Sequence, residues 1–314
     1  MSRPTASVII PNWNGASLLP TCLDALRRQT ATSFETILVD NASRDQSLAL
    51  VREHYPEVRV LALAHNLGFA GGVNAGIRVA SSDIIVLLNN DTEAAPQWLE
   101  ALLSAFTSDP GVGMVASRMM LFDRRHVFHS AGDLYGRDGI PRNRGVWEKD
   151  RGQYDQRQYV FGPCGGGAAY RRAMLADAGP FDERFVSYLE DVDMAWRGQL
   201  LGYCCLYEPK ALLYHHLSAT GGGTRASYYT GRNTIGVLAK DVPAPLLQRH
   251  WPAMLRAQLR VATDAVRAWR GQAARARLRG QIAGVAFALR LLPARKQVQS
   301  SRRVSIDYLE SLLA

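Results

Sequence analysis

Three short stretches of this chain crowd together side chains that can do chemistry. The first is Asn89-Asn90-Asp91, which ends the apolar run Ile84–Leu88. One carboxylate among amide oxygens is a hard-oxygen environment. It suits Mg²⁺ or Mn²⁺, bound by one or two carboxylates and completed by substrate phosphates and water. The plainer reading is a polar strand-to-loop junction, with Asp91 or Thr92 capping a helix that begins at Pro96-Gln97-Trp98. The second stretch is Glu190-Asp191-Val192-Asp193, flanked by Tyr188 and Trp196. Three carboxylates within four positions repel one another unless a cation or proton is shared, and such crowding raises a pKa as a general base requires. Acidic residues in a first helical turn, favoured by the macrodipole, give the same pattern without chemistry. The third is His215-His216, ahead of Ser218-Ala-Thr-Gly-Gly-Gly223. A lone histidine is more often structural; two at a strand end favour a metal or phosphate role.

The elements that must position these groups alternate in type. Strands are expected at Ala6–Pro11, Phe34–Val39, Val58–Leu63, Ile84–Leu88 and around Gly113–Ala116, with helices over about 16–29, up to about His54, and after Gly76. Short connections between alternating strands and helices imply a doubly wound, parallel sheet. Ligands of such sheets collect beyond the carboxyl ends of the strands. Four strand ends carry Asn12 and Asn14, Asp40, Asn66 and Asp91, which would converge on one edge. The glycine-rich stretch Gly68–Gly76 fails the dinucleotide fingerprint in both spacing and place. It either brings backbone N–H groups of a helix N-terminus to a phosphate or ribose, Asn74 with them, or is a structural loop. Residues 123–160 show little periodicity and read as a long mobile loop near the site. Order returns at Phe161–Tyr170, a helix is expected near Arg171–Asp177, a second opens at the acidic stretch, and Ala211–His215 is a strand.

Composition limits the setting. With 314 residues, 47% of them apolar, the chain can bury a large core and carry an appendage. Cys22, Cys164, Cys204 and Cys205 form no Cys-x-x-Cys pair, which points away from zinc sites and disulfide frameworks and towards a reducing cytosol. The N-terminus runs into a strand pattern without a signal-peptide segment, and no apolar run reaches the roughly 20 residues that span a bilayer. The net charge of +9 is uneven: residues 239–314 hold 14 Lys/Arg against 4 Asp/Glu, leaving the rest near neutral. In that tail Leu255, Leu259, Val266 and Trp269 share one helical face, with Arg256, Arg260, Arg267 and Arg270 one position round. Such a basic amphipathic segment either meets an anionic membrane surface or packs on the main domain as a solvated face. Nucleic acid is the weaker partner, since no recognised binding fold accompanies the charge.

Taken in order, Val8-Ile-Ile-Pro-Asn-Trp-Asn14, Val39-Asp40-Asn-Ala-Ser43, Asn66-Leu-Gly-Phe-Ala-Gly-Gly-Val-Asn74, Asn89-Asn-Asp91, Leu189-Glu-Asp191 and His215 resemble the family 2 glycosyltransferases of the GT-A fold. The bacterial rhamnosyltransferase-like branch, which builds surface polysaccharides, is the nearest in appearance. The resemblance spans about residues 6–238. It implies an α/β, GT-A type doubly wound, mostly parallel sheet with a C-terminal basic helical extension. Residues 1–118 would be the nucleotide-sugar half, 119–238 the acceptor and catalytic-base half, and 239–314 the basic tail. Asp40 would read the nucleotide base beside the Pro11 loop. Asn14, Asn66, Gly68, Asn74, Asn89 and Asn90 would serve the donor, with Arg232-Asn233 near the diphosphate. Asp91 and His215 would hold Mg²⁺ or Mn²⁺, although Asn89 stands where the family's metal motif has its first acid. Asp191 would be the catalytic base, and Gly165, Gly166, Glu190 and Trp196 would line the acceptor side. The implied activity is inverting transfer of a sugar, with dTDP-rhamnose the expected donor, to a glycan or lipid-linked acceptor. The expected location is cytoplasmic, peripheral on the inner membrane. A nucleotidyltransferase would want a basic pyrophosphate loop after the first strand, where Asn12-Trp13-Asn14-Gly15 stands. A non-catalytic glycan-binding protein would not need Asp91, Asp191 and His215 together.

Overall fold

The computed structural model describes residues 3–217 and 222–314; Ser218 to Gly221 of the glycine-rich stretch after His216 therefore lie outside the described residues. Four strands set the frame: β1 (Ala6–Asn12), β2 (Phe34–Asp40), β3 (Arg59–Ala62) and β4 (Ile84–Leu88). Each is an apolar run short enough for a strand. β1 pairs in parallel with both β2 and β4, and β2 with β3, because the crossovers are the helices α1 (Leu19–Arg27), α2 (Ser47–His54) and α3 (Gly68–Val79). α1 buries Leu19, Cys22, Leu23 and Leu26 and is shorter than the expected 16–29, starting three residues later, at Leu19 behind a turn.

The second half departs from simple alternation. After β5 (Thr92–Ala94) and α4 (Trp98–Ser108), β6 (Val112–Leu121) is longer than the expected strand and does not lie beside β4. Between them runs β11 (Gly167–Arg171), antiparallel to both. Residues 123–160 are not a featureless loop. They contain β7 (Phe128–Ser130), β8 (Asp133–Tyr135), β9 (Pro141–Asn143) and β10 (Gln158–Val160), tied to the body by pairings of β7 with β6 and of β10 with β12 (Cys204–His215). Arg118, which bonds Asp150 and Asp155, anchors the outer part. The result is a mixed, mostly parallel-cored sheet of ten strands, ordered β10-β12-β6-β11-β4-β1-β2-β3, with β5 added to β12 and β7 to β6.

The remaining helices are α5 (Arg172–Ala178), α6 (Glu190–Leu200), α7 (Gly223–Lys240), α8 (Ala244–Arg267), α9 (Gln272–Ser300) and α10 (Ile306–Ser311). α7 and α9 pack backbone to backbone. A Cβ on Gly280 would come within 2.1 Å of the Tyr228 carbonyl oxygen, one on Gly231 within 2.5 Å of that of Arg277, and one on Gly284 within 2.9 Å of that of Arg232. The expected boundary at residue 238 thus falls in the last turn of a helix that lies along the tail. The chain end returns to the core, where Leu309 is fully buried and Leu313 pairs beside Tyr135.

Candidate active site

A cleft of about 430 Å³ opens over the carboxyl ends of β1 and β4 and is closed on its far side by the start of α6 and the end of β12. Its walls include Pro11, Asn66, Gly68, Asn89, Asn90 and Asp91 from the first half of the chain. Gly165, Gly166, Glu190, Asp191 and His215 come from the second. The strand ends converge as parallel topology requires.

The floor is a polar relay across three strand ends. Asp40, an acceptor only, takes the amide N–H of Asn12 at 3.2 Å and the backbone N–H of Ser43 at 3.0 Å. That fixes the Asn12 amide with its oxygen towards Asn90, whose Nδ2 donates to it at 2.7 Å. Asp40 itself is buried beneath Asn12 and is not part of the cleft wall. Asn14 also lies outside the wall: its left-handed backbone (φ 52°) turns the side chain to the backbone N–H of Arg44.

At the end of β4, Asp91 Oδ1 stands 3.1 Å from His215 Nε2. His215 is carried there by the register of β12 against β5 and β6, which sets it opposite Thr92 and Leu121. Side chains alternate along a strand, so His216 points away and stacks on Phe122 with ring centroids 3.4 Å apart. The other ring nitrogen of His215 meets Nδ1 of His129 at 3.1 Å. Burial, with His215 adding to it, pushes the His129 imidazole down to about 3, so it is neutral and one of the two facing nitrogens carries the shared proton. Among the described residues no group of three or more His, Cys, Asp or Glu forms a self-sufficient metal site. A carboxylate and an imidazole within contact distance still suit a divalent cation that takes its remaining ligands from diphosphate and water, the usual arrangement for Mg²⁺.

Across the cleft, Asp191 lies in the first turn of α6. Its Oδ2 accepts the backbone N–H of Gly165 at 2.8 Å, and its Oδ1 accepts its neighbour Val192 N–H at 2.8 Å. Burial raises its carboxyl above the ordinary range, and these two N–H groups pull the other way. Glu190 and Asp133 crowd the same space. Burial and the neighbouring Asp191 push both carboxyls well up. Glu190 Oε2 has no hydrogen-bond partner among the described residues, and Asp133 is met by Ser130 at 3.4 Å. Of the three carboxyls Asp191 is the best provided with N–H donors, which favour its ionised form over those of its two neighbours.

Asp193 behaves differently. It points to the opposite face of α6, fully buried, bonded by Arg197 at 2.6 Å and by Lys240 of α7, which also reaches Asp182 at 2.7 Å. Those cations hold its carboxyl below the ordinary range against burial. It is part of the clamp between α6 and α7.

Asn74, Arg232 and Trp196 are also placed away from the cleft, each because a distant backbone or ring claims it. Asn74 donates to the Phe181 carbonyl at 2.8 Å and accepts its N–H at 2.9 Å. Arg232 donates to the carbonyls of Arg184 and Phe185 and lies over the Phe287 ring. Trp196 is buried edge-on against Tyr135 and Phe161. Asn233, beside Arg232, aims its amide at the carbonyls of Phe185, Ser187 and Tyr188 at 2.6–3.0 Å. It holds a segment in which Val186, Tyr188 and Leu189 all have positive φ, near 67°, immediately before α6. For a β-branched residue such as Val186 that conformation is costly and persists only under outside support.

Sequence reading missed His129, Asp133, Arg142 and Asn143 of the cleft wall, all inside the stretch taken for a loop, and Arg225 in the first turn of α7. Three-residue strands leave no period to read. The Arg225 guanidinium lies 5.7 Å from the exposed Trp13 ring, bridging the mouth.

The ten-stranded α/β sheet, with a carboxylate–imidazole pair at its strand ends faced by a buried carboxylate in the first turn of a helix, has the GT-A type fold. Residues 7–179 match the family described as Glycosyl transferase family 2, and the chain belongs to that family of glycosyltransferases. It is 27% identical over 281 residues to the N-acetylglucosaminyl-diphospho-decaprenol L-rhamnosyltransferase of Mycobacterium tuberculosis, covering 81% of this chain and 88% of that one. It is 26% identical to a PGL/p-HBAD biosynthesis glycosyltransferase of Mycobacterium bovis, covering 86% and 92%. Among solved structures, a mannosyltransferase from Pyrobaculum calidifontis in complex with GDP-Man and Mn²⁺ superimposes with a TM-score of 0.56 at 19% identity, over 99% of this chain and 84% of that one. GalNAc-T7 with UDP, GalNAc and Mn²⁺ gives 0.61 at 16% identity, over 76% of this chain and 48% of that longer one.

Proposed function

We propose that the chain transfers a deoxyhexose from a nucleoside diphosphate sugar, dTDP-rhamnose being the best candidate, to a hydroxyl of a polyprenyl-diphosphate-linked sugar, with inversion at the anomeric carbon. The observation that carries this reading is the carboxylate of Asp191, buried and held by two backbone N–H groups across a cleft from Asp91 and His215. As the acceptor oxygen bonds to the anomeric carbon, Asp191 takes its proton, and the bond from that carbon to the diphosphate oxygen breaks on the opposite face. Glu190, kept neutral, donates a hydrogen bond to the acceptor, and the backbone at Gly165 and Gly166 leaves room for it. Asp91 and His215 would hold Mg²⁺ or Mn²⁺, which when bound neutralises the charge that develops on the departing diphosphate. Arg225 adds a cation at the mouth, and His129 fixes the ring of His215. Asp40 acts through Asn12 and Asn90, whose amides it orients towards the nucleotide. The name of the rhamnosyltransferase relative supports the sugar and the lipid-linked acceptor.

The test is transfer from a panel of nucleotide sugars to a synthetic polyprenyl-diphosphate N-acetylglucosamine, with the product anomer read by NMR. Inverted product from dTDP-rhamnose is expected. Transfer from another donor alone would correct the sugar, and retained configuration would remove Asp191 as base. A nucleotidyltransferase reading would instead require pyrophosphate release from a nucleoside triphosphate.

A further inference from the structure

Two long helices of the tail expose apolar side chains that nothing among the described residues covers. On α8, Leu255, Leu259 and Val266 are each at least half exposed, and on α9 Ile282, Val285 and Leu289 are more than 60% exposed. On a 100° per residue wheel these positions span about 40° on α8 and about 60° on α9. The arcs are not scattered. α8 and α9 form an antiparallel hairpin: Gln258 and Gln281, equally far from the turn at residues 268–271, meet through the Gln281 amide, which donates to the Gln258 carbonyl at 3.1 Å and to its Oε1 at 3.0 Å. Counted along each chain from that contact, the apolar arc lies about 60–100° round α8 and about 40–100° round α9 in the same sense. In an antiparallel pair arcs of that shared sense open on the same side. The opposite side of the hairpin is buried, α8 through Met254 and Ala257, α9 through Phe287 and Leu291 against α7. Arg256, Arg260 and Arg267 then fall on the outer edge of α8, and Arg279 and Arg290 on the outer edge of α9, all exposed.

We propose that this face of the α8–α9 hairpin is a docking surface for an anionic lipid bilayer, lying in the interface plane. Its form is an apolar floor two helices wide with a cationic rim on each side, which matches acyl chains below and phosphate headgroups around. Trp251 and Trp269 are exposed on the α8 side, where indoles favour the headgroup level. Charge selects the partner: residues 239–314 carry a net +10 while the rest of the chain is at −1. A second copy of the chain would bring the same cationic rims together. Among the described residues no helix is long and apolar enough to cross a membrane, so the contact is one of lying on rather than spanning. The inference is independent of which sugar the cleft transfers.

Sedimentation of the full chain with vesicles tests it. Binding is expected to phosphatidylcholine vesicles containing phosphatidylglycerol, to weaken with salt, and to be slight with phosphatidylcholine alone. The triple variant Leu259→Gln, Ile282→Gln, Leu289→Gln alters only exposed positions. It should keep its melting temperature and transfer to a soluble acceptor while its partition coefficient falls about tenfold or more. Arg256→Gln, Arg279→Gln and Arg290→Gln should each cost about fivefold on anionic vesicles and little on neutral ones. The proposal is overturned if the wild-type chain stays in the supernatant with both vesicles, or if the apolar triple variant binds as well as wild type. It is equally overturned if light scattering finds a dimer that the triple variant dissolves while vesicles go unbound.

Discussion

Asp91 and Asp191 face the same cleft from supports of opposite kind. Asp91 follows β4, whose neighbours are set by regular parallel register, and its surroundings are amides locked in a relay from Asp40 through Asn12 to Asn90. Asp191 lies just beyond residues 186–189, of which Val186, Tyr188 and Leu189 have positive φ, a stretch held in place by an amide from a helix more than 40 residues further on. The first support is intrinsic to the topology, and the second is imposed by tertiary contact. A polar group at a strand end is therefore cheap to hold, whereas the proposed base depends on a strained turn kept in shape by distant groups, the Asn233 amide foremost, with Arg232 and the backbone of α3 beside it.

Breaking the chemistry on the strained side has the largest expected effect. Asp191→Asn should lower transfer at saturating donor by about 10²–10⁴ while donor binding by calorimetry stays near wild type, because the amide keeps the shape but accepts no proton. Melting should change little, since loss of an N–H partner is offset by removal of a buried charge. Near-normal turnover in this variant, with Glu190→Gln inactive, would move the base by one residue. The same carboxyl sets a pH signature. Its folded pKa is raised by burial, so the ionised base is lost as pH falls through a value above that of an ordinary Asp. The acid limb of kcat/KM should lie correspondingly high, and a limb at or below pH 4 would contradict the buried, partly compensated environment.

On the regular side, Asp91→Ala should abolish the Mn²⁺-dependent part of nucleoside diphosphate binding, exceeding the about 10–100-fold that loss of a supporting residue around a metal costs. His215→Ala should follow it and His216→Ala should not, as their opposite orientations require. Unchanged calorimetric affinity in Asp91→Ala would exclude this pair as the cation's holders.

The smallest effect sharpens the contrast itself. Asn233→Ala removes the donor to the Phe185, Ser187 and Tyr188 carbonyls, at about 1–3 kcal/mol of stability by chemical denaturation. Its kcat should drop more than its donor affinity, because the segment it holds orients Asp191 and not the relay under the nucleotide. An equal loss in donor binding would show that the two supports are not separate.

The same contrast explains what the sequence revealed. β1 to β4 announced themselves by apolar runs ending on polar residues, and the relay members lay where those runs stopped. His129 and Asp133 had no such signal, being in strands of three residues within a polar, aperiodic stretch. β11 could not be placed between β4 and β6 from local pattern, because its neighbours are set by pairings some 50 to 90 residues away. Arg232 and Asn74 stood in motifs yet serve backbone groups 47 and 107 positions distant, contacts that no spacing discloses.

The glycine contact between α7 and α9 bears on how the molecule is held as a mechanical object. With Gly280 against the Tyr228 carbonyl and Gly231 against that of Arg277, the two backbones touch without side chains to slide or repack, so the pair behaves as a fixed joint. One arm of that joint ends at Arg225 beside the cleft mouth, and the other is half of the exposed hairpin. Whatever surface the hairpin rests on, the tilt and standing height of the cleft above it are set by this joint. On the proposed docking the molecule would act as a caliper with a single setting: an acceptor whose reactive hydroxyl is carried at that height would be within reach, and one on a stalk much shorter or longer would not.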